Sequence, residues 1–179
     1  MKVKALIFLF FSIFCYQQSN AQSYKLSIGP EINIPSGNSS NISSIGFGGG
    51  VKAEIGLSDK FSITANGSIV SFLGRKYFGI TSPAETSIPV KAGLKYYTSP
   101  GFYFEGQFGV NVPISGNANT GFAWSPGLGT FIKLRNSENK IDIGIRYEGW
   151  SSNRLITATN AKFSTFGFIG LRAAYALDL

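Results

Sequence analysis

Acid–base chemistry in this sequence falls mainly to carboxylates, because none of the 179 residues is a histidine. Glu31, Asp142 and Glu148 are of the type that moves a proton in catalysis, but the imidazole that most often activates a serine or cysteine nucleophile is missing. The reading that remains for them is electrostatic, each carboxylate forming half of an ion pair. Gly46, Gly48, Gly49 and Gly50 have the composition of a phosphate-cradling loop. No Gly-Lys-Ser/Thr and no helix pattern follows them, so they read as close packing inside a strand. No grouping of Cys and His has the spacing of a metal site. Asn38-Ser39-Ser40, Asn41-Ile42-Ser43 and Asn66-Gly67-Ser68 match glycosylation sequons, a weak signal. Neither an enzyme nor a cofactor nor a metal centre is expected.

The elements that must hold these carboxylates are strands. From Tyr24 onward the pattern has period two, the signature of strands with two chemically different faces, and eight such segments follow one another. In the first, Tyr24, Leu26, Ile28, Ile32 and Ile34 oppose Lys25, Ser27 and Glu31; in the seventh, Ile141, Ile143, Ile145 and Tyr147 oppose Asp142, Arg146 and Glu148. Val70, Phe72, Phe166 and Phe168 break the alternation by falling on or near the polar face. Connections over residues 58–60, 98–101 and 135–140 are tight and rich in turn formers, whereas those over 35–44, 76–85, 114–120 and 151–162 are longer. Long connections therefore gather at one rim of an up-and-down meander and short turns at the other. Closing the meander removes its unpaired edges.

Period two leaves two orientations open: a soluble lipocalin-like barrel binding a small apolar ligand, or a membrane barrel facing lipid. Hydrophobic residues make up 44% of the chain, too many for disorder, while only 14% are charged, against about 25% in an ordinary soluble domain. The polar face carries Lys25, Lys52, Lys91, Lys95, Lys133, Arg146 and Arg172 against Glu31, Glu54, Glu105, Asp142, Glu148 and Asp178, interspersed with glycines. So sparse and balanced a set suits a closed lumen better than a solvated surface. Tyr24, Tyr96, Phe102, Phe122, Trp124, Tyr147 and Tyr175 lie on the apolar face toward strand ends, as interfacial girdles do. Lys2 and Lys4, the apolar run 5–16 and the small residue Ala21 read as a secretory signal, giving a cleaved segment 1–21 and a barrel domain 22–179. Cys15 leaves with the signal, and no other segment is long and apolar enough for a transmembrane helix.

The signal ends Asn20-Ala21-Gln22, and the last strand alternates Tyr175, Leu177 and Leu179 to the carboxyl end. In these features and its eight-segment pattern the chain resembles the small outer-membrane proteins of the OmpX/OmpA type, in the form common in Bacteroidota. The resemblance implies an all-β fold, an eight-stranded antiparallel up-and-down transmembrane barrel in the outer membrane. It also implies contact with outer-membrane lipid and lipopolysaccharide, and a tail read by the barrel-assembly machinery during biogenesis. Leu179 stands where that tail usually has an aromatic residue. No peptidoglycan-binding domain is expected after the last strand.

A sequence pI of 9.6 raises the question of nucleic acid, but the cations are divided between lumen and rims, so no DNA-binding stripe is expected. Arg75, Lys76, Arg154 and Lys162 near the long rim meet either phosphorylated headgroups or water. An eight-stranded lumen is filled by side chains, which predicts a plugged barrel. Tyr77, Phe78, Leu155 and Ile156 lie beyond the expected lipid belt, either as contacts for a protein partner or as part of strands extended upward. The expected role is a non-enzymatic structural, surface-adhesive or complex-forming subunit, one version being a PorT-like secretion or assembly accessory. The soluble carrier is the rival.

Overall fold

β-Branched and aromatic residues at every second position favour extended backbone and give each strand one apolar face. The computed structural model describes residues 23–41, 43–77, 80–81, 84–115, 119–135, 139–155 and 161–179. The strands are β1 (Tyr24–Pro35), β2 (Ser43–Gly56), β3 (Phe61–Gly74), β4 (Lys76–Tyr77), β5 (Ile80–Thr81), β6 (Glu85–Ser99), β7 (Phe102–Pro113), β8 (Gly121–Lys133), β9 (Lys140–Leu155) and β10 (Ala161–Asp178). Eight of them close into one antiparallel barrel in which sequence neighbours pair and β10 returns to β1; β4 and β5 form a separate two-stranded hairpin inside the second long connection. The closing seam runs from Lys25 opposite Asp178 to Pro35 opposite Phe168, and the Leu179 N–H donates to the Tyr24 carbonyl at 2.9 Å. The predicted signal segment and Cys15 lie outside the described residues.

Turn chemistry accounts for the short rim. Leu57 and Ser58 N–H groups both donate to the Phe61 carbonyl, and Gly101 adopts φ +94°, where a side chain would be strained. At the long rim a 3-10 turn, Gly37–Asn41, folds back onto the barrel: the Gly167 N–H donates to Ser39 Oγ at 2.9 Å, and Arg75 Nη1 donates to the Ser40 carbonyl at 2.7 Å. The expectation of a long loop over 151–162 is corrected, because β9 and β10 stay paired up to Leu155 opposite Ala161. The second long connection likewise contains the β4–β5 hairpin.

Three prolines lie inside barrel strands. Pairing lapses beside each of them, between Ile28–Tyr175 and Glu31–Arg172 at Pro30, between Gly67–Val90 and Val70–Ser87 at Pro89, and between Trp124–Gly149 and Gly127–Arg146 at Pro126. Register is unchanged across each lapse, since a proline lacks the N–H for one rung and does not otherwise shift the strand.

The two faces divide by polarity, and the apolar one points outward. Ile28, Phe47, Ile69, Val90, Phe108 and Phe122 are all exposed, Phe108 by 62%, whereas Lys95 and Glu148 on the opposite face are fully buried. This corrects the lipocalin-like alternative, which requires the apolar face to line a cavity. Phe61 with Tyr96, and Phe102 with Phe104, pack near the short-turn end; Trp124 packs on Tyr147 near the long end.

Inward glycines set how closely the strands approach. A Cβ at Gly109 would lie 2.0 Å from the Val90 carbonyl oxygen, and one at Gly29 would lie 2.2 Å from that of Ala173, whereas at outward Gly106 it meets nothing. Gly109→Val is expected to destabilise the barrel by about 3 kcal/mol, and Gly106→Ala by less than about 0.5 kcal/mol. Urea midpoints of the refolded variants, read by circular dichroism in detergent, check both.

Candidate functional site

Strand parity delivers the polar residues of all eight barrel strands into one lumen, and its narrowness forces opposite charges together. Toward the long end, Glu148 accepts from Lys91 Nζ at 2.5 Å, from Arg146 Nε at 2.7 Å and from the Trp150 indole N–H at 2.7 Å. Arg146 also reaches Glu31, at 2.8 Å from Nη2. Arg172 links Glu31, 3.7 Å from its Nε, to Asp142, 2.8 Å from its Nη1. Lys52 continues the chain, 3.8 Å from Asp142 and 2.7 Å from Glu105, which also accepts from Thr64 at 2.7 Å and Gln107 at 2.8 Å. The Tyr103 hydroxyl donates to Asp142 at 2.5 Å.

Nearer the short-turn end, Lys95 pairs with Glu54 at 2.5 Å, Lys25 stands 3.9 Å from the same carboxylate, and Tyr97 donates to it. Lys95 Nζ lies 4.0 Å from the centre of the Tyr103 ring and 4.8 Å from that of Phe131, so aromatic faces share its charge. Eleven of the thirteen charges predicted for the lumen thus meet there in ion pairs. Lys133 does not: it is exposed at the short-turn rim with Lys140 as its register partner, and among the described residues it pairs with no acid. Asp178, predicted for the lumen, instead pairs with Lys140 at that rim, 2.6 Å away. Both lie at the last turns of their strands, where the parity that points inward points only at the mouth.

The residues that break the alternation have a common purpose. Val70, Phe72, Ala123, Trp150 and Phe168 form one buried apolar cluster with Phe166 packed on it, at the end of the lumen toward the long rim. Phe72 meets Trp150, Phe166 and Phe168 edge-on, with ring centres 5.7, 4.9 and 5.1 Å apart. Gly46 leaves room for the Phe72 ring, since a Cβ there would lie 2.6 Å from it. Packing, not phosphate binding, accounts for this glycine. Tyr97, Phe131 and Trp150 escaped the sequence analysis although each sits two residues beyond an inward position, at Lys95, Gly129 and Glu148.

A cavity of about 30 Å³ remains between Lys52, Asn66, Gln107, Ser125, Arg146 and Arg172, room for one or two waters. Asn66 Oδ1 and Arg172 Nε are buried without a hydrogen-bond partner. Among the described residues each lumen carboxylate is engaged by a cation, so the arrangement serves charge neutralisation. Among the described residues no Asp, Glu or Cys cluster could hold a metal ion. Of the predicted partner-contact residues, Phe78 and Ile156 lie outside the described residues, as do the side chains of Tyr77 and Leu155.

Arg146→Ala leaves Glu31 and Glu148 buried with weakened neutralisation and is expected to cost about 3 to 5 kcal/mol, whereas Lys133→Ala changes stability by less than about 0.5 kcal/mol. Denaturant titration of both variants in the same detergent makes the comparison.

No family model and no curated protein sequence matches the chain. Solved structures do. Ail, the attachment invasion locus protein of Yersinia pestis, superposes with a TM-score of 0.56 at 15% identity over 88% of this chain and 100% of its own. Neisserial surface protein A gives 0.59 at 12% identity over 89% and 100%. The outer membrane protein OprG of Pseudomonas aeruginosa gives 0.58 at 11% identity over 89% and 97%. At these identities the likeness is one of fold: the chain is a closed eight-stranded antiparallel up-and-down barrel of the architecture these proteins share.

Proposed function

We propose that this chain is a non-enzymatic outer-membrane barrel with a plugged lumen, acting as a structural, surface-adhesive or complex-forming subunit. The observation that carries this reading is inverted polarity: large apolar side chains ring the outside while four acids and four Lys or Arg residues are buried within, paired among themselves and with half-buried Glu105 and Arg146. Water would drive the opposite arrangement. In a bilayer the apolar belt meets hydrocarbon, the closed ladder leaves no unpaired edge, and the two aromatic girdles sit at the headgroups. Ion pairs filling the space between the upper aromatic cluster and the Tyr97, Tyr103 and Phe131 group support a lumen closed to solutes.

In this reading residues 1–21 are a cleaved export signal and the short turns face the periplasm. The belt borders lipid and lipopolysaccharide, and the tail at Tyr175, Leu177 and Leu179 is offered to the barrel-assembly machinery. The long connections face outward, where a surface role must lie because the lumen carboxylates are engaged by cations. The names of Ail and of the neisserial surface protein fit such a role. A PorT-like accessory of Bacteroidota type is its complex-forming version, with Tyr77, Phe78, Leu155 and Ile156 as contacts.

The two tryptophans test the orientation of the faces. In bilayers of brominated phospholipid, Trp124 in a Trp150→Phe variant is expected to be quenched, and Trp150 in a Trp124→Phe variant is not. Equal quenching of both, or recovery of the native protein in the soluble periplasm, would overturn the reading. Planar bilayers should record no large, stable conductance.

A further inference from the structure

We propose that the lumen binds one halide ion, chloride under ordinary conditions, in the cavity between Lys52, Arg146 and Arg172. The inference concerns the interior alone and does not depend on what surrounds the barrel. The cavity measures about 30 Å³, against the about 10 to 15 Å³ that a single water needs. Such a space admits a monatomic anion and is too small for sulfate or phosphate.

The wall of this cavity is rich in donors and poor in acceptors. Lys52 donates to Glu105 at 2.7 Å, and Arg146 donates through Nε to Glu148 and through Nη2 to Glu31. Two ammonium protons and the Nη1 amino group are left uncommitted. Arg172, only 5% exposed, has its Nε unpartnered. Asn66 and Ser125, 4% and 3% exposed, take part in no side-chain hydrogen bond among the described residues. Glu105 is the one acid on the wall, and its two oxygens already accept from Lys52, Thr64 and Gln107. Glu31, Asp142 and Glu148 engage the same cations but do not line the cavity.

A wall of this kind suits a guest that only accepts. Water brings two protons of its own and finds few acceptors for them, whereas a halide takes several N–H and O–H donors at once. Three of the donor groups are cationic, and charge-assisted hydrogen bonds are the strong ones. The same cations offset the cost of burying the ion. Lumen ion pairs join Lys25, Lys52, Lys91, Lys95, Arg146 and Arg172 to Glu31, Glu54, Glu105, Asp142 and Glu148, six cations to five acids, so one further negative charge balances the set. Asn66 Oδ1 is the acceptor that opposes a halide. It has no donor to lose, so the amide can turn over and present its NH2 group instead.

The test compares the refolded protein in detergent in sodium bromide and in sodium gluconate of equal ionic strength, gluconate being too large to enter. Urea titration read by circular dichroism gives the folding equilibrium constant. For wild type it is expected to be about tenfold larger in bromide, as for a ligand that binds only the folded state at about ten times its Kd. Ser125→Val and Asn66→Leu each replace a polar group on the wall with an apolar one, from strands on different sides of the barrel. Both should lose the bromide response to within about twofold, whereas Lys133→Ala at the rim should keep it in full. Crystals of wild type grown from sodium bromide supply a readout that needs no variant to fold: an anomalous peak is expected between Lys52 and Arg172. The proposal is overturned if wild type is equally stable in the two salts, if both cavity variants keep the bromide response, or if bromide peaks appear only at surface lysines. In each of those cases the cavity holds water alone.

Discussion

Closing β10 onto β1 is the constraint from which the rest of the molecule follows. Once the ladder is continuous, the inward face of each strand looks at the same narrow space, and whatever sits there must be satisfied by its opposite walls. Arg146 therefore answers to Glu31, 115 residues away, as much as to Glu148 on its own strand. A single cation bridging two acids, and a single acid accepting from two cations and an indole, is how so small a volume holds so much charge. The inward glycines belong to the same arrangement, because each gives up a side chain to make room for a long one.

The interior is layered. Aromatic rings at the long end and around Lys95 at the short end flank the ion pairs between them, and burial strengthens each attraction while raising the penalty for any group left alone. The outer surface is apolar because the alternate residues of each strand, which point outward, are largely Ile, Val, Leu and Phe. The two rims differ: one is built from tight turns, the other is carried upward by the extended β9–β10 hairpin.

Strand identity, strand count and the division into two faces were legible in the sequence, because side-chain direction in a strand alternates with every residue and needs no partner to be read. Ile141, Ile143 and Ile145 against Asp142, Gly144 and Arg146 declare their faces locally, and the alternation of short and long connections declares the meander. Eleven of the lumen charges were identifiable on the same ground. What parity does not encode is height. The stagger between strands fixes the level at which an inward residue sits, and stagger is set by closure of the whole sheet. Hence Lys133 and Asp178, inward by parity, lie at the mouth, and Val70, Phe72 and Phe168, anomalous as a pattern, become one buried cluster only when β3, β8, β9 and β10 are brought to one level. The sequence determined what faces inward; the tertiary structure alone decided which residue each inward group meets, because that pairing depends on distances across the barrel that no local run of residues contains.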